Sequence, residues 1–80
     1  MGYIPQVSGE RLIKILKKLG YVVISQRGSH IKLQLLGTKG KHIIIIPNHK
    51  TIAKGTLSDI MKKVSIWTNK NIDEIIEMMK

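Results

Sequence analysis

Eighty residues without a cysteine suit one domain, 1–80, against the usual roughly 100–200 residues per domain, and exclude a disulfide scaffold, a thiol nucleophile and Cys-ligated zinc. No apolar run approaches the roughly 20 residues that span a bilayer, Met1–Val7 lacks the pattern of a signal peptide, and a cysteine-free chain suits the reducing cytoplasm. Lys+Arg number 14 against 5 Asp+Glu, a net charge of +9, and no acid falls between Arg11 and Ser58, so a polyanion is the expected partner, with nucleic acid first and an acidic protein or a membrane surface behind it.

The first helix is announced by Ser8 as N-cap and by Glu10 in the first turn, where the helix dipole favours a carboxylate. Val7 and Leu12 are placed to form a hydrophobic staple. Leu12, Ile13, Leu16 and Leu19 recur at helical spacing and form the core face. Arg11, Lys14, Lys17 and Lys18 form a basic stripe, read either as a binding surface or as an ordinary solvated face. Gly20 ends the helix, predicted over 9–19.

Tyr21–Gln26 is rich in β-branched residues and predicts a strand. Arg27-Gly28 signals a tight turn. Ser29–Leu35 then alternates, with Ile31, Leu33 and Leu35 on one face and His30, Lys32 and Gln34 on the other. After the turn Gly37-Thr38-Lys39-Gly40, Lys41–Ile46 is a third strand stopped by Pro47. Such short turns join antiparallel neighbours, so the strands form a meander. The run Ile43–Ile46 puts isoleucine on both faces, and the pair on the His42 side, Ile44 and Ile46, is expected to be the exposed one. An exposed apolar strand invites a protein partner or a second copy of the chain.

Thr56 is the predicted N-cap of a second helix whose apolar side is Leu57, Ile60, Met61 and Val64. Asn71, three residues before Glu74, opens a last helix with Ile72, Ile75, Ile76 and Met79. Trp67 and this apolar stripe are assigned to the core. The order is α-β-β-β-α plus a short C-terminal helix, an α+β layout with helices on one face of the sheet and the other face free.

The sequence holds few groups for chemistry. Acids are sparse, and no Walker-type loop, G-x-S-x-G or H-E-x-x-H occurs. His30, at the entrance to the second strand with Lys32 on its face, suits proton transfer at an RNA 2′-hydroxyl, with a cation to stabilise the five-coordinate phosphate. The alternative is an exposed histidine that only touches phosphate. Arg27, Lys32 and Lys54 are the candidate phosphate contacts. His49, in a basic loop, either contacts RNA or orders the loop. His42 is read as a surface or rim residue. A three-histidine metal site is not expected, because carboxylates are missing and lysines surround the histidines; no cofactor is expected either.

Four segments in order resemble the HicA family of toxin ribonucleases: Ser8-Gly9 with its helix to Leu19-Gly20-Tyr21, Arg27-Gly28-Ser29-His30, Ile46-Pro47-Asn48-His49, and Lys54-Gly55-Thr56-Leu57. The likeness runs from Ser8 to Val64. It implies a double-stranded-RNA-binding-domain-like fold with a three-stranded antiparallel sheet. It implies metal-independent mRNA cleavage with His30 essential and Gly28 and Ser29 beside it at the RNA. It also implies a HicB-type antitoxin that blocks the active site. Many members carry a second histidine after the G-S-H histidine, where this chain has Ile31. The rival from another class is a non-catalytic double-stranded-RNA-binding module of the same fold, which needs only shape and phosphate contacts.

Overall fold

The computed structural model of the chain describes residues 4–80, so the signal-peptide reading of the N-terminus rests partly on residues outside it. The elements are α1 (Gly9–Lys18), β1 (Val22–Arg27), β2 (His30–Gly37), β3 (Gly40–Pro47), α2 (Lys54–Thr68) and α3 (Ile72–Met79). The strands form one antiparallel sheet in the order β1-β2-β3. Helices cover one face, giving the expected α+β layout. Among the described residues no helix is long and apolar enough to cross a membrane.

Local signals account for the ends of α1. The Ser8 side chain accepts a hydrogen bond of 3.0 Å from the Arg11 backbone N–H, satisfying one of the donors a helix start leaves free. At the other end, Gly20 N–H donates to Lys17 and Tyr21 N–H donates to Leu16, the paired bonds of a Schellman ending. That turn delivers Tyr21 into the interior. The Asn71 carboxamide likewise caps α3 by accepting from the Glu74 N–H at 2.9 Å. The expected cap at Thr56 is not used. Helix α2 begins three residues earlier, at Lys54, with Ala53 at the N-cap position and no side-chain bond there.

The β2–β3 register explains which isoleucines are buried. Leu33 stands opposite Ile44, and Lys32 stands opposite Ile45. Directly opposed residues share a face. Ile44 and Ile46 therefore join Ile31, Leu33 and Leu35 under the helices, where all five are buried. The exposed pair is Ile43 and Ile45, at 47% and 52%, which reverses the expectation for Ile44 and Ile46.

The same register corrects the reading of His42. It lies on the helix side with Ile44 and is buried. Its Nδ1 is 2.7 Å from the Tyr21 hydroxyl, and its ring stacks on Trp67 at 5.0 Å between centroids, 1° from parallel. This group ties the end of α1 to β3 and α2. Burial pushes the Tyr21 phenol up to about 12. Burial, followed by the charge of Lys63, pulls the His42 imidazole below its ordinary value. Around it lies one apolar cluster that includes Leu12, Leu16, Leu57, Met61, Val64 and Ile75, with Trp67 partly buried against it. The C-terminal helix is thus core, as its Ile/Met stripe requires.

Candidate nucleic-acid interface

The face of the sheet turned away from the helices carries the candidate site. Arg27 on β1 stands opposite His30 on β2. Lys32, two residues on, shares the His30 face and is opposed by Ser25. These four side chains and Ile45 line one shallow cleft. His30 is exposed. The sheet contains no carboxylate from Val22 to Pro47, so the positive field at the cleft is unopposed on its own face.

An irregularity in β1 makes this alignment. Val23 opposes Leu33, yet Ser25, not Ile24, opposes Lys32. Ile24 is the extra residue of a β-bulge. Without it Gln26 would fall opposite His30, and Arg27 would leave the ladder. The bulge therefore brings the arginine beside the histidine. The turn that follows is equally specific. Gly28 sits at φ 57°, as the first central residue of a two-residue type II′ hairpin requires. The Gln26 side chain donates to the Gly28 carbonyl at 3.3 Å and braces the turn.

Backbone bonds draw three separated segments to this end of the sheet. The Asn48 N–H donates to the Ser29 carbonyl at 2.6 Å, and the Gly9 N–H donates to the His49 carbonyl at 2.9 Å. A Cβ at Gly9 would collide with the Pro47 carbonyl oxygen and would lie 2.8 Å from the Asn48 Cα. Only glycine permits that close approach. Ser8-Gly9, Gly28-Ser29-His30 and Pro47-Asn48-His49 thus meet, although up to 40 residues separate them in the sequence.

The remaining candidates are placed elsewhere. His49 lines a neighbouring depression with Ser8, Glu10, Asn48 and Lys50, not the His30 cleft. Lys54 begins α2 and is exposed. Lys54-Gly55-Thr56-Leu57 serves packing through Leu57, which is 1% exposed. The three histidines occupy three environments: the open face, the core and a loop. Among the described residues no three His, Asp or Glu side chains are grouped to hold a metal ion. Sequence reasoning missed Ser25, which only the bulge turns toward the cleft. It also missed Ile45, whose face became legible only through the hairpin register.

A family model described as the HicA toxin of bacterial toxin-antitoxin matches residues 9–66. It therefore covers all three strands, α1 and most of α2, and stops short of α3. No curated protein and no solved structure matches the chain.

Proposed function

The chain belongs to the HicA toxin family, and from that premise we propose that it is a metal-independent endoribonuclease that cuts mRNA in the cytoplasm and is blocked by a HicB-type antitoxin. The observation that carries this reading is the open sheet face, where an exposed histidine stands between Arg27 and Lys32 with no carboxylate on the sheet. A single RNA strand brings phosphates to the two cations, and its unstacked bases leave the ribose accessible.

In this reading His30 is the general base that takes the proton of the ribose 2′-hydroxyl. The 2′-oxygen attacks the adjacent phosphorus, the bond to the 5′-oxygen of the next nucleotide breaks, and a cyclic phosphate forms. The leaving oxygen takes a proton from Lys32 or solvent water, because Ile31 stands where a second histidine would follow His30. Arg27 and Lys32 oppose the extra negative charge of the five-coordinate phosphorus. Gly28 and Ser29 present His30 from the tight turn. His49, near the start of α1, and Lys54, at the start of α2, contact backbone phosphates beyond the cleft. Ile43 and Ile45 give the same face an apolar strip that an antitoxin covers when it occludes the cleft.

The test is incubation of purified protein with a long mRNA in excess EDTA, beside His30→Ala. The expected result is cleavage by the parent, none by the variant, and equal RNA binding by both. Intact RNA with both proteins, while both still bind, would replace the nuclease by a binding module of the same fold.

A further inference from the structure

Strand β1 stands clear of the helices. All six of its residues are exposed, whereas the helix-facing positions of β2 and β3 are buried. Val23 is on the helix-facing side, opposite Leu33, yet it remains 42% exposed. The result is a second cleft, between α1 and the overhanging strand. Lys14 and Lys17 of α1 form one bank, Val23 and Gln26 of β1 form the other, and Ile13 and Asn48 complete its lining with Ile31 and Glu10.

We propose that this cleft is a nucleobase-reading subsite for the RNA strand that enters or leaves the His30 cleft, a proposal that rests on the nuclease reading above. Two observations select RNA as the occupant. The first is charge. Glu10 is the only carboxylate at the cleft, and it lies 3.9 Å from Lys14. Lys17 has no ion-pair partner among the described residues and is left to meet phosphate. The second is continuity with the site. Gln26 and Arg27 are consecutive in β1 and oppose Ile31 and His30 respectively. The two clefts therefore occupy adjacent rungs on opposite faces, and β1 is a free edge around which a flexible strand can pass. Asn48 also joins them, since its N–H holds the Ser29 carbonyl beside His30 while the residue lines the second cleft.

The chemistry fits a base. Ile13, Val23 and Ile31 offer aliphatic surface for its face. The Asn48 carboxamide offers a donor and an acceptor, the pairing that reads a base edge, and Gln26, which gives one N–H to Gly28, keeps its second N–H and its oxygen. A positively charged groove that tracks the backbone is the general form of a single-strand channel, and here the α1 bank supplies the charge while aliphatic side chains supply the surface for the base. The Asn48 side chain makes no hydrogen bond within the protein among the described residues, so Asn48→Ala tests base reading without removing an internal hydrogen bond.

The experiment has two arms. In the first, cut positions on a long mRNA are mapped for the parent and for Asn48→Ala. The expected result is continued cleavage, with discrimination at one nucleotide near the cut relaxed about five-fold or more, the range of a good amide–base pair. In the second, single-stranded RNA oligomers of the four bases are titrated into His30→Ala protein with and without Val23→Glu, which sets a carboxylate on the bank at an already exposed position. Affinity should fall at least several-fold. An unchanged cut map together with affinities within two-fold would overturn the subsite. Should the parent fail to cut any RNA, the nuclease reading falls. The binding arm still decides the cleft: loss of affinity with Val23→Glu supports it, and unchanged affinity overturns it.

Discussion

Replacing Tyr21 by Phe probes the link between α1, β3 and α2. The ring is 1% exposed, so the substitution keeps its packing and removes only the hydroxyl that lies 2.7 Å from His42 Nδ1. It leaves that nitrogen buried without a partner, at a cost of about 1–3 kcal/mol. A domain of this size loses roughly 4–8 °C of melting temperature per kcal/mol, so a fall of about 5–20 °C is expected at neutral pH. The pH dependence makes the test specific. Burial raises the Tyr21 pKa from 10.0 to about 12. A raised folded-state pKa gives stability that is complete below pH 10 and is lost as pH climbs toward the folded value. Each tenfold change in proton affinity is worth about 1.4 kcal/mol, so a loss on the order of 2–3 kcal/mol is spread over that alkaline range. The Phe variant has no such loss. Urea unfolding of both proteins from neutral pH to about 11.5 should therefore show a gap that is constant at first and narrows above about pH 10. A variant as stable as the parent would refute the assignment of this hydrogen bond, and a gap that stays constant through the alkaline range would refute burial of the phenol, which is what raises its pKa.

Two further outcomes follow from the same core. His42 titrates below its ordinary value because burial, and then the Lys63 charge, disfavour the imidazolium. Stability that depends on neutral His42 is present above pH 6.5 and is lost as pH falls through the lowered value. Thermal melts between about pH 7.5 and 5 should decline in the parent and flatten in His42→Gln, and parallel slopes would exclude His42 as the source. Gly9→Ala should cost about 1–3 kcal/mol, because the new methyl meets the Pro47 and Asn48 backbone and not a yielding side chain. Urea midpoints measure that loss, and a midpoint equal to the parent's would show that the loop moves aside at no cost.

What the sequence disclosed divides by the range of the interactions involved. Ser8, Gly20 and Asn71 act on backbone groups within a few residues, so the ends of α1 and the start of α3 were legible from local spacing. The meander was legible because Gly28-Ser29 and Gly37–Gly40 leave no room for a crossover. The unbroken run Ile43–Ile46 carries no alternation of its own, so its facing depends on pairing with Leu33 and Lys32 across the hairpin. Burial of His42 needs Tyr21 and Trp67, which come from opposite sides of the sequence, and no local pattern announces such a site. The bulge at Ile24 is hidden in a continuous β-branched stretch. It alters the site all the same, since it decides that Arg27 and not Gln26 faces His30. The place of His30 on the open face was legible through its Gly-Ser turn and its polar strand face. The cleft beside β1 was not, because the pattern Val-Val-Ile reads as buried strand until the helices are seen to leave it uncovered.

The distribution of carboxylates separates the two faces of the molecule. All five acids lie in helices. Among the described residues the ion pairs are Lys14–Glu10 at 3.9 Å, Lys63–Asp59 at 3.1 Å, Lys70–Glu74 at 3.9 Å and Lys80–Glu77 at 2.9 Å. Every partner is largely exposed, and such pairs are worth about 0–1 kcal/mol each. Their effect on stability is therefore small. Their effect on the field is larger, because they confine the neutralised lysines to the helical layer. Arg27, Lys32 and Lys41 belong to the sheet and form no ion pair among the described residues. The molecule measures 31 × 30 × 19 Å, and charges are screened over about 8 Å at physiological salt. Carboxylates in the helical layer are thus weakly felt at the open face. A phosphate that arrives there meets cations and His30 before it meets any acid. The acid-free span Arg11–Ser58 holds the whole sheet, while Glu10, which precedes it on α1, lies 3.9 Å from Lys14.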